Sequence, residues 1–342
     1  PSPDRRTRKH LGRDSLMLWS AMEYLHRHKA IMQTPIVSFK GFQSNDILKI
    51  SDTVANVDRA LTDCGFMASS DLGFSDELLA RVFEASATFF LSDTKNKRRS
   101  AYLSAEENFG YQAFASEHLD PASPPDLKET FTMRNILNAT IEEHRWPSNE
   151  FKELMQLFFA ECLERAFLLQ RILAKALNLD ENFFVKFHSG QNISLRLLHY
   201  PACRSDEVSN SQLGAGAHSD YGLTTFLFQD SVGGLEICDQ NGKWQDIEPD
   251  NSVVLINSGD LLERWTNGKY RSTLHRVKPM TRGRDRFSIA FFVDPDSDTE
   301  IKVLENFIDA DTPRRFRDIN AGEYIRGKLE NSHIGLHEGI LT

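Results

Sequence analysis

Three side chains stand at a spacing that suits a metal ion. The stretch Gly216-Ala217-His218-Ser219-Asp220-Tyr221-Gly222 puts a histidine and an aspartate two residues apart. A second histidine, His275, follows 55 residues after Asp220 in Ser272-Thr273-Leu274-His275-Arg276-Val277. Read as a strand, the first stretch aims His218 and Asp220 at one face, because strand side chains alternate. Two imidazoles and one carboxylate form the facial set that suits non-haem Fe(II). Three protein ligands leave three coordination positions, enough for a bidentate cosubstrate and O2 together. Arg286-Phe287-Ser288 begins 11 residues after His275. Arg286 and Ser288 alternate onto one face of the next strand, and a guanidinium beside a hydroxyl grips a distal carboxylate well. Tyr200, in Leu198-His199-Tyr200-Pro201, is available to add a phenolic hydrogen bond.

Other candidates have a structural reading beside the functional one. Arg196 falls four residues before Tyr200 on the same strand face, Phe292 falls six after Arg286, and Tyr221 directly follows a ligand. An arginine between two aromatic rings would sandwich and hydrogen-bond a small planar heterocycle. Equally, Arg196 would form a salt bridge with a helix, and Tyr221 and Phe292 would pack in the barrel wall. His199 alternates away from Tyr200 and reads as a satisfied buried histidine. His188, His333 and His337 have no partner at ligand spacing. The run Lys95-Asn96-Lys97-Arg98-Arg99 reads as a solvated face.

The elements that must position these residues show in the periodicity. Residues 35–39 read as a strand, 51–65 as a helix ended by Gly65, 66–67 as a short strand, and 75–91 as a helix capped by Ser75. Pro121, Pro124 and Pro125 make 115–127 a loop. Residues 148–178 give the longest helical pattern. From residue 192 the period changes to two, with strand-like runs at 193–200, 223–228, 234–238, 252–257, 271–278 and 286–293. Turns such as Gly233-Gly234, Asn241-Gly242 and Asn267-Gly268 separate them. Residues 309–342 are charged and helical near Ala321 to Leu329, placed either over the pocket mouth or outside. Helices first and short strands later predict a mainly β protein with α buttresses. Its core is a closed or double-layered antiparallel structure of the jelly-roll type. The division expected is an N-terminal helical and mixed region at 32–180, the jelly-roll core at 181–308 and a C-terminal helical segment at 309–342.

Composition bounds the function. The 342 residues suffice for a full core, and 40% hydrophobic with 26% charged residues argues against a disordered chain or a fibre. No apolar run approaches the roughly 18 residues of a membrane span, so no membrane partner is expected. The net charge of 40 − 49 = −9 gives no basic field for nucleic acid. Four cysteines without a C-x-x-C pair argue against a thiolate zinc site and suit reduced thiols, hence a cytoplasmic setting. Residues 1–31 differ from the rest, with seven Lys/Arg against three acidic residues, +4 in all. They read as a poorly ordered extension outside the core; an amphipathic helix through Leu18, Ala21, Met22 and Leu25, or a cleaved targeting peptide, are the competing readings.

His218-x-Asp220, His275 and Arg286-x-Ser288 together resemble the Fe(II)/2-oxoglutarate dioxygenases of the isopenicillin N synthase-like branch. Gly233-Gly234-Leu235, Asn257-x-Gly259-Asp260, Thr266-Asn267-Gly268 and Ser272-Thr273-x-His275-Arg276-Val277 are similar to that family too. So are Pro35-Ile36, Gly65-Phe66, Phe89-Phe90 before Lys95, and Gly110-Tyr111, so that the resemblance covers about residues 34–330. It implies a double-stranded β-helix with iron at one open end. It also implies that O2 and 2-oxoglutarate yield succinate, CO2 and an oxidant that removes a substrate hydrogen, with ascorbate as a possible accessory reductant. The ligands implied are His218, Asp220 and His275, with Arg286, Ser288 and Tyr200 on the 2-oxoglutarate tail. One departure is Leu198, where many plant members carry Asn two residues before this Tyr. Leu195 to Pro201, Ala217 to Gly222 and Leu227-Phe228-Gln229-Asp230 look most like thymine 7-hydroxylase-like members, which suggests a pyrimidine-like heterocycle or a secondary metabolite as substrate. Alternatives are an iron oxidase or cyclase that needs no 2-oxoglutarate, and a non-catalytic jelly-roll binding protein, with zinc hydrolysis a weaker fourth.

Overall fold

The computed structural model describes residues 31–32, 34–44, 46–120, 123–209 and 211–332. Residues 1–30 of the basic segment, His333 and His337 lie outside them. The helices follow their caps. Helix α1 spans Ile47–Asp63 and starts four residues before the expected 51, because the cap is Asp46, which accepts from the Leu48 N–H at 3.0 Å. Helix α2, Asp76–Phe90, starts behind Ser75 as expected. In the short helix α3, Thr94–Arg98, and its cap Arg99, the run 95–99 is solvated as expected at Lys95, Asn96, Arg98 and Arg99, but Lys97 turns inward and pairs with Glu129 at 2.8 Å. Helix α4 spans Asn149–Ala176 behind the Ser148 cap.

The strands form two facing sheets. The smaller runs in the order β1 (Ile31–Met32), β9 (Trp244–Ile247), β8 (Leu235–Cys238), β11 (His275–Val277), β6 (Ala215–His218). The larger runs β2 (Phe66–Ser69), β10 (Val254–Ser258), β7 (Thr224–Gln229), β12 (Arg286–Val293), β5 (Ser194–Tyr200), β4 (Glu129–Arg134), β3 (Phe109–Gln112). All pairings are antiparallel except β1 with β9. This is the expected jelly roll with α buttresses. Alternation along β12 explains its burial on both faces: Arg286, Ser288, Ala290 and Phe292 face the space between the sheets, while Ile289, Phe291 and Val293 face the helices. Between the sheets, Phe66, Leu198, Leu235, Ile237, Leu255 and Val277 pack together. On the helix side an aromatic layer fills the core, with Phe131 edge-on to Phe89, Phe109 and Phe151 at centroid distances of 5.0, 5.5 and 5.6 Å.

Three strand readings change. Residues 35–39 make one parallel bridge, Ile36 beside Ala68, since Pro35 has no N–H to extend a ladder and the chain turns at Phe39–Phe42. The run 271–278 pairs only over β11. Asn267-Gly268 is a helix exit instead of a hairpin turn, because helix α5, Asp260–Trp265, precedes it and both residues take positive φ, 52° and 87°. Strands β3 and β4 were not legible as a period-two signal. The chain then forms the small β13 (Glu300–Ile301) and β14 (Ile319–Asn320) ladder and ends its described part in helix α6, Ala321–Ser332.

The aromatic layer makes a stability prediction. Phe131 is 0% exposed, so Phe131→Ala should cost about 3–5 kcal/mol in urea unfolding. A loss below about 1 kcal/mol would show that the layer repacks freely.

Candidate active site

The two histidines meet because of strand register. His218 ends β6, His275 begins β11, and the two are direct partners in the smaller sheet. Their ring centroids are 4.3 Å apart. Each ring turns its Nδ1 to a carbonyl two residues back, Gly216 at 2.8 Å and Thr273 at 3.1 Å. A neutral imidazole that donates from Nδ1 presents the lone pair of Nε2, the form a metal takes. Burial, with His275 beside it, pushes His218 down to about 3, so the ring is unprotonated at neutral pH.

Asp220 reaches the same point by a different route from the one its spacing suggested. The strand stops at His218, so alternation does not aim Asp220. Its backbone has left the sheet, and its carbonyl accepts from the Asp260 N–H at 2.8 Å and from the Ser272 hydroxyl at 3.4 Å. Its carboxylate is held from the larger sheet. Asn257 donates to Oδ2 at 2.6 Å, Thr225 adds a hydrogen bond, and these two are register partners on β10 and β7. Burial raises the carboxyl, but the imidazoles and these two donors outweigh it and hold it below its ordinary value. Its Oδ1 lies 3.7 Å from His275 Nε2. One donor atom from each of His218, Asp220 and His275 lies within 4.8 Å of the others. Two imidazole nitrogens and one carboxylate oxygen fit a divalent first-row metal.

The approach of β11 to this point is fixed by residues 64–65. The Thr273 hydroxyl donates to the Cys64 carbonyl at 2.8 Å, and Ser258 donates to the Arg271 carbonyl at 2.7 Å. Gly65, with φ 71°, lies so close to Arg271 that a Cβ there would strike its carbonyl. Gly65 thus does more than end a helix.

Deeper in the cavity stands Arg286, 1% exposed. Its Nη1 donates to Ser288 at 3.1 Å, its Nη2 reaches Gln229 at 3.4 Å, and its Nε has no partner. Tyr200, its register partner, lies with its ring face under the guanidinium at 4.8 Å. Among the described residues no carboxylate pairs with Arg286. A buried guanidinium without a counter-ion is costly, and a carboxylate ligand is what satisfies it.

The structure also brings Arg196, Tyr221 and Phe292 to the cavity wall. Among the described residues no aromatic ring lies against the Arg196 guanidinium, and the helix partner expected for it is replaced by Glu117, in the loop after β3. Arg196 ion-pairs there and also donates to Gln112 at 3.1 Å and Thr130 at 3.0 Å. Glu117 also pairs with Lys128 at 3.2 Å, and Lys128 with Asp126, whose Oδ1 accepts from Gly216 N–H at 2.8 Å. Burial alone would lower the Lys128 ammonium; Glu117 and Asp126 outweigh it and keep it charged. Sequence reasoning missed this four-charge network, Asn257 and Gln229. The first sits in a segment legible only as a proline loop, and the others matter through register. His199 is satisfied as expected, by Glu129 at 2.8 Å and Asp285 at 3.0 Å. From α6, Ile325 and Leu329 line the mouth, and Lys328 lies 5.4 Å over the Tyr221 ring. The cavity volume is about 110 Å3. Among the described residues no helix is long and apolar enough to cross a membrane.

Known proteins share this architecture. Residues 191–295 match the model of the 2OG-Fe(II) oxygenase superfamily, and residues 34–153 match that of the N-terminal region of non-haem dioxygenases in morphine synthesis. The chain is 30% identical over 315 residues to the 2-oxoglutarate-Fe(II) type oxidoreductase hxnY of Emericella nidulans, covering 87% of this chain and 90% of that protein. It is 29% identical to the proline hydroxylase buaE of Petromyces alliaceus, over 79% and 90% of the two chains. A crystal structure of Neurospora crassa T7H with alpha-KG and thymine superposes with a TM-score of 0.79 at 31% identity, covering 87% of this chain and 96% of that one.

The charge network predicts its own fragility. Lys128→Met would leave buried carboxylates short of a cation and should cost about 3–5 kcal/mol in urea unfolding. A loss below about 1 kcal/mol would mean that the network relaxes or takes up water.

Proposed function

This chain belongs to the 2OG-Fe(II) oxygenase superfamily, and from that premise we propose that His218, Asp220 and His275 hold its Fe(II) and that Arg286, Ser288 and Tyr200 hold the distal carboxylate of 2-oxoglutarate. The activity is that of an Fe(II)- and 2-oxoglutarate-dependent dioxygenase. The observation that carries the site assignment is Arg286, buried without a counter-ion on the same cavity wall that leads to the triad. When bound, the iron with 2-oxoglutarate and O2 supplies the oxidant that takes a hydrogen from the substrate, while 2-oxoglutarate is decarboxylated to succinate.

The chain's own residues then do the positioning. The Gly216 and Thr273 carbonyls take Nδ1 of the two imidazoles, which leaves Nε2 of each to face the metal. Asn257, on Oδ2, and Thr225 hold the Asp220 carboxylate in place for the metal. Arg286, Ser288 and Gln229 orient the cosubstrate from its far end, and Tyr200 covers the guanidinium. Substrate enters on the side of Arg196, Tyr221 and Phe292. We infer a small planar heterocycle there, hydroxylated at a position facing the triad. The likeness at 31% identity to a protein crystallised with thymine supports that class. Arg196, held by Glu117, would offer the face of its guanidinium to such a ring.

Two substitutions test the assignment. Asp220→Ala should abolish Fe(II)-dependent succinate formation from 2-oxoglutarate; retained turnover would remove the triad. Arg286→Ala should raise the 2-oxoglutarate KM at least about thirty-fold, from the about 2–5 kcal/mol typical of removing one partner of a desolvated charge pair. An unchanged KM would reassign Arg286.

A further inference from the structure

One carboxyl in the cavity has no task in the chemistry above. Asp294 directly follows β12, lines the cavity on the same wall as Phe292 and is 8% exposed. Among the described residues it forms no hydrogen bond and no ion pair. The nearest guanidinium, Arg134, stands outside the cavity lining and hydrogen-bonds Asn192 at 3.5 Å instead. Asp294 rests against Gly222, two residues past Asp220, where a Cβ would strike its carboxyl. The chain therefore keeps a side chain off Gly222 and leaves room there for an acid. Burial, reinforced by the charge of Asp220, pushes this carboxyl up to about 7, with Arg134 opposing. It is the mark of a carboxylate short of a positive neighbour.

The charges of the cavity say what that neighbour would be. Lys128 and Arg196 are matched by Glu117 and Asp126. A divalent ion and Arg286 carry three positive charges; Asp220 and doubly ionised 2-oxoglutarate carry three negative ones. Within the lining Asp294 is left without a cation of its own, and Arg134, outside the lining, acts on it only through its charge and without an ion pair. A buried carboxylate is stable when a cation pairs with it.

We propose that Asp294 anchors the substrate, and that the substrate is a small planar molecule carrying a positively charged nitrogen, an ammonium, an amidinium or a protonated ring nitrogen. This rests on the reading of the cavity as the dioxygenase site. The cation pairs with Asp294, and its ring lies toward Phe292 and Tyr221. A neutral ring of the same shape would leave the Asp294 carboxyl to take up a proton, forgo the ion pair and bind more weakly.

Benzamidine and benzamide test this, being nearly isosteric, one cationic and one neutral. Anaerobic protein loaded with Fe(II) is titrated calorimetrically with 2-oxoglutarate and then with each probe. Wild type should bind benzamidine at least about ten-fold more tightly than benzamide, as expected for a desolvated charge pair. Asp294→Asn should remove that preference while still binding 2-oxoglutarate. Equal affinity of wild type for the two probes, no binding of benzamidine, or a preference that survives Asp294→Asn would overturn the proposal and leave the dioxygenase site standing. Failure of wild type to bind 2-oxoglutarate would instead overturn the underlying assignment. If Asp294→Asn does not fold, the wild-type comparison decides alone, with benzamidine preferred or the proposal lost.

Discussion

A guanidinium withdrawn from water without a counter-ion is the constraint around which this molecule is arranged. Arg286 is held by neighbours that are neutral, Ser288, Gln229 and the face of Tyr200. Neutral partners relieve only part of the cost of burying a charge, which in proteins is several kcal/mol. The rest of the fold has to supply that stability elsewhere, and the aromatic layer under the larger sheet does so.

The site is a junction of two sheets. The smaller sheet brings the imidazoles together by one register pair, His218 with His275. The larger sheet contributes Asn257 and Thr225, which steer Asp220, and the row from Arg286 to Phe292 that runs along the cavity. A slip of one residue in β12 would turn Arg286 and Ser288 toward the helices and Phe287 into the cavity. Pairing on both sides, with β5 and β7, prevents that slip. The loop before β11 is pinned to residues 64–65, which ties the N-terminal helices to the position of a ligand.

Much of this was legible in the sequence, for identifiable reasons. Spacing alone singled out His218, Asp220, His275, Arg286 and Ser288, because these types at these intervals serve one chemistry. The jelly-roll class followed from the change of period near residue 192. The mechanism that aims Asp220 was not legible, since it depends on backbone beyond a strand end. Lys97 looked solvated because a run of cations gives no hint that Glu129 waits beneath one of them. Glu117, Asp126 and Lys128 were hidden for the same reason: buried charges satisfied by one another leave no hydrophobic pattern. The absence of a ring sandwich at Arg196 likewise follows from Glu117, a partner separated from it by 79 residues.

Strand β12 sets Arg286, without a counter-ion among the described residues, at its start and Asp294 just past its end, and both line the cavity that the three donors line. If His218, Asp220 and His275 hold the iron and Arg286 holds the distal carboxylate, a single molecule of 2-oxoglutarate would reach both. The most direct test is the visible difference spectrum recorded anaerobically as Fe(II), then 2-oxoglutarate, is added to metal-free protein. A metal-to-ligand charge-transfer band that forms only with both present is the result predicted. Iron that binds without any band on adding 2-oxoglutarate would contradict it.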